Sequence, residues 1–260
     1  MKRLIYQVYV GKRTKLYNTC TASVKEYCNK HGIDYYQQTV PKLRIKPDIF
    51  LTNRSRESYE KHGGFLPIYE KENAFEYLNT HDQVAIVDAD IYIKPDAPNI
   101  FEELGDHDFA GCVEREMPIT PEYKAKIHNY SHMQYANLKD VDWKWNDFGG
   151  EFMNMGLMVM NSSFKGYLKG QTPKQFLERK EFKKFVDGMG NWKWSTDQTL
   201  LNWWIKKEGM NVKHLPWNYN ALYKGVQDKM LPEAHFIHFF LKDKLPGKGE
   251  NVEQLLEAIK

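Results

Sequence analysis

Short apolar runs alternate along the chain with longer stretches in which apolar residues recur every three or four positions. The runs at 4–10, 84–87 and 109–113 predict strands, and the wholly apolar run 84–87 is typical of a strand buried on both faces of a parallel sheet. This alternation predicts an α/β fold with a mixed, mainly parallel central sheet. The other predicted strands are 33–40, 155–160, 212–215 and 236–240, and the predicted helices are 18–31, 68–78, 196–208 and 250–259.

Capping residues mark the ends of two of these helices. Gly32 follows the first helix, where glycine is favoured because it adopts the left-handed backbone conformation that ends many helices. Thr196 can cap the start of the helix at 196–208, and Gly209 can end it. These two helices are therefore predicted with defined boundaries.

The domain organisation follows from the connecting segments. No linker rich in proline, glycine or serine divides the chain, which predicts one domain over residues 1–260. Residues 114–150 contain two prolines and close with two glycines, so we predict an irregular insertion there. We also predict a C-terminal helix at about 250–260.

The composition excludes several classes of protein. Hydrophobic residues make up 42% of the chain and aromatic residues 14%, which argues against intrinsic disorder. The formal net charge of +3 is too small to demand a nucleic-acid partner, and we expect none. No apolar stretch reaches the roughly 20 residues that a transmembrane helix needs, so we expect no transmembrane segment.

The cysteines indicate a cellular compartment. The chain has three cysteines, an odd number, and Cys20, Cys28 and Cys112 lack the spacing of metal ligands. Reduced thiols are typical of cytosolic proteins, whereas disulfides form in oxidising compartments. We therefore expect reduced cysteines and a cytoplasmic location.

Two acidic residues follow the apolar run 84–87. Asp88 and Asp90 are separated by one alanine, so their carboxylates point to the same side if the extended conformation continues. Two like charges this close repel each other, and a hard cation such as Mg²⁺ or Mn²⁺ relieves the repulsion. Such an ion usually shares its other positions with phosphate oxygens. The pattern indicates either a metal site for a phosphate-bearing ligand or two solvated aspartates at a turn.

A second cluster of candidate ligands lies far downstream. His235 and His238 flank or lie within the apolar run 236–240, where a histidine is usually a hydrogen-bonded core residue. His238 is followed closely by Lys242 and Lys244. A metal ligand followed by flexible ammonium groups suits a diphosphate, because the ion and a lysine can bind different oxygens. His238 is therefore either a core residue or a third metal ligand.

Five short blocks, in order along most of the chain, resemble those of nucleotide-sugar glycosyltransferases of the GT-A fold, most closely glycosyltransferase family 8. The first resembles the strand that ends in Asp-x-Asp, and the last resembles the terminal His-Phe motif with a lysine six residues after the histidine. Leu241 stands where the family usually has glycine. The resemblance implies a single GT-A-like, Rossmann-related domain. The blocks are 84–91, 152–161, 197–202, 215–218 and 237–244.

The resemblance implies roles in metal binding and catalysis. Asp88, Asp90 and His238 would hold Mn²⁺ or Mg²⁺, and the ion would bind the diphosphate of a UDP-hexose donor. Asp197 and Gln198 would be the catalytic residues that face the transferred sugar. From its position alone, the aspartate could equally serve as an acidic residue in the first turn of a helix, where a negative charge is favourable.

Further residues are implied to bind the donor or the substrate. The small Gly156 would allow the sugar to approach closely, Asn154 would line the same cleft, and Lys244 would bind phosphate. Lys71 stands where the family often has an arginine near the donor. The residues assigned to donor or substrate binding are Tyr9, Val10, Lys71, Asp88, Asp90, Asn154, Gly156 and Lys244.

The function implied by the resemblance is metal-dependent transfer of a hexose, glucose or galactose, from a UDP-sugar to a carbohydrate or glycoconjugate acceptor, with retention of anomeric configuration. Three alternatives stay open. A nucleotidyltransferase shares the fold and the metal but normally has a glycine-rich phosphate loop, whereas Gly11 stands alone after the first strand. A phosphohydrolase with a nucleophilic aspartate would need a later acidic pair, for which Asp106 and Asp108 follow very soon. The third alternative is a sugar-binding module without turnover.

Overall fold

The structure, a computed structural model, describes residues 1–260 and contains two sheets. The strands, numbered in chain order, are β1 Arg3–Val8, β2 Asp34–Gln38, β3 Gln83–Val87, β4 Ile91–Ile93, β5 Phe109–Val113, β6 Met153–Asn161, β7 Val212–His214, β8 Ala221–Leu222 and β9 Phe236–His238. The central sheet has six strands in the order β2-β1-β3-β6-β5-β7. β6 runs antiparallel to both of its neighbours, and the other pairs are parallel. The predicted α/β fold with a mixed, mainly parallel sheet is therefore confirmed.

A smaller sheet lies where β3 ends. Its strand order is β4-β9-β8, with β4 antiparallel and β8 parallel to β9. The chain leaves β3, turns over residues 88–90 and enters β4 directly. Because β9 pairs with β4, a strand near the C-terminus lies beside the end of β3. The sequence predicts β9 but not β4, which has only three residues.

Helices fill the connections between the strands. The α-helices are α1 Lys15–His31, α2 Glu57–Glu60, α3 Ile100–Leu104, α4 Pro121–Tyr135, α5 Lys165–Leu168, α6 Pro173–Leu177, α7 Lys183–Val186, α8 Asp197–Lys207 and α9 Val252–Glu257. The 3₁₀ helices are Pro67–Asn79, Glu114–Glu116, Ser162–Phe164, Lys180–Phe182, Gly190–Trp194, Trp217–Tyr219, Asp228–Glu233, Lys242–Lys244 and Pro246–Gly249.

The capping residues predicted from the sequence act as expected. Gly32 ends α1 in the left-handed conformation, with a φ of 63°. The Thr196 side chain accepts a backbone hydrogen bond at the start of α8, and Gly209 follows this helix with a φ of 61°. Thr14 caps α1 in the same way, so that helix begins three residues earlier than its apolar pattern indicates. Local hydrogen bonding thus fixes the boundaries of both helices.

Residues 114–150, predicted to be irregular, contain the 15-residue helix α4. The prediction treats the prolines as interruptions, whereas Pro121 occupies the first helical position. An N–H at this position would have no acceptor within the helix, so proline, which lacks an N–H, is tolerated there. Thr120 caps the helix by accepting a hydrogen bond from the N–H of Tyr123 at 3.2 Å. The insertion therefore contains an ordered helix that packs on the domain through residues such as Ile127.

Residues 68–78, predicted to be helical, belong to the 3₁₀ helix Pro67–Asn79. This helix buries four consecutive polar residues, 70–73. Glu70 accepts hydrogen bonds of 2.7–3.0 Å from the three backbone N–H groups of residues 42–44 and so holds the loop after β2 in place. A run of charged residues is usually solvated, so the sequence of residues 70–73 gives no sign that their side chains are buried.

The core surrounds the central sheet and is rich in aromatic rings. Buried apolar side chains form one cluster of 73 residues. The three cysteines are buried and unpaired, as predicted. None of the helices combines the length and the apolar character needed to cross a bilayer. Among the fully buried large side chains are Phe164, Phe176, Phe182, Trp203 and Trp204.

Candidate metal centre and active site

The two aspartates lie in the turn between β3 and β4. The N–H of Asp88 donates to the carbonyl of Gly156 at 2.8 Å, and the N–H of Ile91 donates to the carbonyl of Asp88 at 3.1 Å. The backbone therefore turns here, and the extended conformation assumed from the sequence does not continue. The carboxylates still meet, because ligand oxygens of Asp88 and Asp90 lie within 4.8 Å of each other.

Strand pairing brings His238 to this turn. Ile91 of β4 pairs with His238 of β9, and the N–H of Phe239 donates to the carbonyl of Asp90 at 2.9 Å. The imidazole Nε2 lies 3.2 Å from Asp90 Oδ1 and 3.9 Å from Asp88 Oδ2. His238 is buried, but its ring faces both carboxylates. The structure thus brings together the three residues that the sequence proposes as metal ligands.

Gly156 on β6 makes room for this imidazole. A Cβ added at Gly156 would lie 2.3 Å from Cε1 and 2.6 Å from Nδ1 of His238, which is closer than packed atoms approach. The resemblance implies that the small residue lets a sugar approach, whereas in the structure the histidine ring fills the space beside its Cα. A side chain at position 156 would therefore push the ring out of its place beside the carboxylates.

The donor set of Asp88, Asp90 and His238 fits a divalent cation. One ligand atom from each residue lies within 4.8 Å of the others. Two carboxylates and one neutral imidazole supply a negative charge that an ion can balance. The second ring nitrogen, Nδ1, is buried without a hydrogen-bond partner. These three residues could hold an ion and leave further coordination positions to a ligand.

Proton binding competes with an ion at this site. Burial raises the pKa of Asp88 to about 6, an effect that Lys71 opposes and Asp90 reinforces. Burial alone would favour a neutral imidazole, but the charge of Asp90 and its hydrogen bond raise the pKa of His238 above its usual value. Protons on Asp88 and His238 therefore partly balance the negative charge of the site in the protein without an ion. Cation binding should release them and strengthen with rising pH.

Lys71 joins the metal centre to the first turn of α8. Its Nζ lies 3.0 Å from Asp88 Oδ1 and 2.8 Å from Asp197 Oδ2, and it donates to the carbonyl of Met155 at 3.0 Å. The ammonium group therefore forms ion pairs with two carboxylates and one hydrogen bond with the backbone. Burial lowers the pKa of Lys71, but Asp197 and Asp88 more than offset this and raise it. The side chain predicted to contact the donor is thus held by protein groups.

Glu72 is a buried acid beside this ion-pair cluster. Neither of its carboxylate oxygens has a hydrogen-bond partner. Burial and the charge of Asp197 raise the pKa of Glu72 well above its ordinary value, although Lys71 opposes them. The site therefore favours the neutral acid at this position. Sequence reasoning misses this residue, and its neighbours in the chain give no signal for it.

The two predicted catalytic residues begin α8. Asp197 is buried, and its carboxylate faces Lys71. Gln198 is half-buried, and its Oε1 accepts a hydrogen bond from the N–H of Met155 at 3.2 Å while its Nε2 lies 3.5 Å from Glu114 Oε1. The structure thus places both residues near the metal centre, with the glutamine more accessible than the aspartate.

Glu114, directly after β5, is a buried acid that sequence reasoning misses. Its carboxylate accepts hydrogen bonds from Tyr123 Oη at 2.9 Å and Asn154 Nδ2 at 2.8 Å. Asn154 Oδ1 accepts from the N–H of Gly156 and from Asn220 Nδ2, both at 3.0 Å. Burial raises the pKa of Glu114, although the hydrogen bonds that its carboxylate accepts from Asn154 and Tyr123 oppose this rise. An acid at the end of a buried strand is the signal that could have identified it.

A cleft of about 290 Å³ opens beside the two aspartates. Tyr9 and Val10, predicted to bind the donor, line it at the end of β1. Tyr9 is fixed there because its Oη accepts a hydrogen bond from the N–H of Thr14 at 2.7 Å. Its ring also meets that of Tyr17 edge-on at 5.1 Å. The lining residues are Val8, Tyr9, Val10, Tyr17, Pro67, Ile68, Lys71, Asp88, Ala89 and Asp90.

Three of the residues predicted to bind the donor or the substrate do not line this cleft, namely Asn154, Gly156 and Lys244. Lys244 lines a separate small pocket together with Lys126. Lys242 lies nearer the cleft, with its Nζ 5.5 Å from the centre of the Tyr17 ring. Between β9 and these lysines, Leu241 has a φ of 57°, a left-handed conformation that glycine adopts without steric cost. The position where the family usually has glycine therefore keeps the backbone shape that favours glycine.

A second acid–histidine group lies elsewhere. Glu116, Glu151 and His214 also bring ligand atoms within 4.8 Å of one another. Glu151, however, pairs with Lys206 at 2.8 Å and with Arg115 at 3.3 Å. Two cations therefore balance the single Glu151 carboxylate, whereas at the first group one ammonium, that of Lys71, is shared between Asp88 and Asp197 and leaves more negative charge for an ion. The candidate metal centre is therefore the site at the end of β3.

Comparisons with known proteins identify the fold. No known family model matches the sequence, and a search of curated proteins finds no match. The structure resembles a glycosyltransferase involved in the glycosylation of the major capsid of PBCV-1, with a TM-score of 0.54, 14% identity and coverage of 97% of this chain and 100% of that one. It also resembles galactosyltransferase LgtC, solved with donor and acceptor sugar analogs, with a TM-score of 0.53, 12% identity and coverage of 98% and 95%. The fold is that of GT-A glycosyltransferases.

A third solved structure agrees with this assignment. Mouse xyloside xylosyltransferase 1 in its apo form gives a TM-score of 0.50 at 11% identity, with coverage of 95% of this chain and 100% of that one. The likeness therefore extends over the whole domain. At these identities it establishes the GT-A fold, and membership of glycosyltransferase family 8 stays a prediction from the sequence motifs.

Proposed function

We propose that this protein is a metal-dependent glycosyltransferase that moves a hexose, glucose or galactose, from a UDP-sugar to a carbohydrate or glycoconjugate acceptor. One observation carries the proposal: Asp88, Asp90 and His238 converge beside a cleft at the carboxyl ends of β1 and β3. Ligands of α/β sheets bind at this edge. A nucleoside diphosphate suits the cleft because its phosphate oxygens can complete the coordination of a cation held there.

The donor set supports Mn²⁺ as the ion, with Mg²⁺ as the alternative. Carboxylate oxygens suit both ions, whereas an imidazole nitrogen is a more common ligand of transition metals. When bound, the cation neutralises the charge that develops on the departing diphosphate. The residues that would hold it are Asp88, Asp90 and His238.

Glycosyl transfer breaks the bond between the anomeric carbon and a diphosphate oxygen, and the sugar becomes oxocarbenium-like. We assign contact with the sugar to Gln198, because it is the more accessible member of the pair that begins α8. Asp197 acts with it by holding Lys71, which also contacts Asp88. Retention of anomeric configuration is a further prediction, which rests on the family resemblance.

Two rival enzyme activities fit the structure less well. A phosphohydrolase would need a second acidic pair near Asp88. Asp108 instead precedes β5, at the opposite end of the strands, and accepts hydrogen bonds from Ser163 at 2.6 Å and Tyr167 at 2.8 Å. A nucleotidyltransferase would need several backbone N–H groups in a glycine-rich loop after β1, where Gly11 is the only glycine. Glycosyl transfer therefore accounts for more of the site.

A nucleotide-sugar panel tests the proposal. UDP-glucose, UDP-galactose and nucleotide sugars with other bases are incubated with the protein and Mn²⁺ or EDTA, and release of the nucleoside diphosphate is measured. We expect release from a UDP-hexose with Mn²⁺ only, and its loss in Asp90→Asn. Binding without release would indicate the sugar-binding module, and neither binding nor release of any nucleotide sugar would overturn the proposal.

We also propose a cytoplasmic location. Its support is the state of Cys20, Cys28 and Cys112, which are buried and unpaired. Burial raises the pKa of all three thiols, which keeps them protonated and unreactive. Such residues are typical of proteins in a reducing compartment.

A further inference from the structure

Two surface loops, at 48–54 and 187–195, present apolar side chains to solvent. Phe50, at the tip of the first loop, is 90% exposed. The five large apolar side chains on these loops are half of all those that the protein surface exposes. Such a concentration marks an interaction site, because a soluble domain rarely gathers apolar groups without one. The apolar patch consists of Ile49, Phe50, Leu51, Met189 and Trp194.

Hydrogen bonds hold the two loops side by side. The N–H of Gly190 donates to Asn53 Oδ1 at 2.6 Å, next to Met189 and close to Leu51 in the chain. The guanidinium of Arg54 donates to the carbonyl of Ser195 at 2.7 Å, next to Trp194. These contacts place the two loops that carry the apolar patch beside each other.

The tip of the first loop is a preformed turn. The N–H of Phe50 donates to Asp48 Oδ1 at 3.0 Å, and the N–H of Thr52 donates to the Asp48 carbonyl at 2.9 Å. The N–H of Asp48 donates in turn to the buried Asp187 at 2.8 Å. The exposure of Ile49 and Phe50 is thus fixed by hydrogen bonds, and ordering this loop costs little when a partner binds.

The patch lies in a basic part of the chain. Residues 46–56 and 183–194 contain six lysines or arginines and two aspartates, a net charge of +4, whereas the whole chain carries +3. One of the lysines, Lys193, has its Nζ 5.0 Å from the centre of the Trp194 ring. Lys183 is held by Asp187 at 2.7 Å and Asp48 at 3.4 Å. The exposed Lys46 and Lys193 have no acidic partner, so their flexible ammonium groups can reach outward around the apolar side chains.

We propose that the apolar patch docks on the surface of an anionic lipid bilayer. Ile49 and Phe50 would enter the interface, while exposed lysines such as Lys46 and Lys193 would contact the phosphate groups of the lipids. A bilayer surface accepts apolar and cationic groups side by side, whereas the cores of protein–protein interfaces are depleted in lysine. Ser195 also adjoins the cap of α8, so docking would bring the candidate active site near the membrane. The inference stands independently of the proposed function.

Vesicle sedimentation tests this docking. The full chain is mixed with vesicles of phosphatidylcholine alone or of phosphatidylcholine with phosphatidylglycerol, at low and high salt. We expect binding to the anionic vesicles only, and weaker binding at high salt because the electrostatic part is screened. The double substitution Ile49→Ser with Phe50→Ser should lower the partition coefficient at least tenfold without changing the thermal midpoint or Mn²⁺-dependent donor hydrolysis.

The matched control is Val40→Ser, which removes an exposed valine outside the apolar patch and should bind like the wild type. Failure of the wild type to bind anionic vesicles would overturn the proposal, as would equal binding by the double variant and the control. Self-association of the wild type that the double substitution abolishes, without vesicle binding, would assign the patch to a second copy of the chain. The salt comparison needs no variant and therefore does not depend on how well a variant folds.

Discussion

A glycine beside an imidazole sets the geometry of the candidate metal centre. In Gly156→Ala the new Cβ would lie 2.3 Å from Cε1 of His238, so the ring must move away from the two aspartates. We expect Mn²⁺ affinity, measured by calorimetric titration, to fall at least about tenfold, as when other groups that orient a ligand are lost. The control is Gly166→Ala, where an added Cβ contacts nothing within 4 Å. Equal Mn²⁺ affinity in the two variants would show that the position of the His238 ring does not affect Mn²⁺ binding.

The buried acid Glu72 should make stability depend on pH. At a pH below the ordinary carboxyl pKa it is protonated in the folded and unfolded states, so Glu72→Gln should have little effect. As pH rises, the unfolded chain releases this proton and the folded protein retains it, because burial and Asp197 raise the pKa of Glu72. The wild type should therefore lose stability relative to the variant by about 1.4 kcal/mol for each unit of that rise.

Urea unfolding of both proteins at acidic and neutral pH measures this difference. A parallel pH dependence in the wild type and in Glu72→Gln would show that the carboxyl group is ionised or solvated in the folded protein. The free energy of unfolding is the quantity compared, so the result does not depend on an assay of activity.

At the residue scale, the sequence predicts the two aspartates that follow β3 and misses the buried acids Glu72 and Glu114. Asp88 and Asp90 are recognisable because four apolar residues precede them. Glu72 lies in a charged run, and whether such a run is buried depends on what the rest of the chain packs against it. Gly156 is recognisable as part of a block, but the reason for its small size is a contact with His238.

At the scale of elements, the ion pair of Lys71 and Asp197 joins the 3₁₀ helix Pro67–Asn79 to α8. Lys71→Met would leave Asp197 buried without its partner, so we expect a loss of about 3–5 kcal/mol in the free energy of unfolding. Adding Asp197→Asn to this variant should recover part of the loss, because the buried charge is then removed. Denaturant unfolding of the single and double variants gives both values.

An exposed pair provides the control for this experiment. Lys174 and Glu178 lie 3.9 Å apart on the surface, so Lys174→Met should cost less than about 1 kcal/mol. If Lys71→Met costs no more than Lys174→Met, the buried pair does not link the two elements. If the double variant is less stable than Lys71→Met, Asp197 is held by groups other than Lys71.

The helices α1 and α8 and the long strands could be predicted from their patterns, whereas β4 and α4 could not. Gly32, Thr196 and Gly209 act locally, so their roles are visible in the sequence. β4 has three residues, too few for a periodic pattern, and it forms because β9 pairs with it. α4 is hidden because two prolines lie at or just before its start.

At the scale of the whole molecule, the site depends on convergence of distant segments. β3, β4 and β9 bring two aspartates and a histidine together, and the Pro67–Asn79 helix and α8 add the charges behind them. The α/β fold could be predicted from the alternation of patterns, because the buried strands β1, β3, β5 and β6 each carry an apolar run. The ion pairs could not, since each depends on packing between elements far apart in the chain.

The central claim is that one cation, held by Asp88, Asp90 and His238, binds the diphosphate of a nucleotide sugar. Calorimetric titration of UDP into the protein, with Mn²⁺ or with EDTA, tests it most directly. The account predicts binding with Mn²⁺ that is lost with EDTA and is weakened at least about tenfold in Asp90→Asn and in His238→Ala. Equal UDP affinity with Mn²⁺ and with EDTA, or in the wild type and both variants, would contradict it.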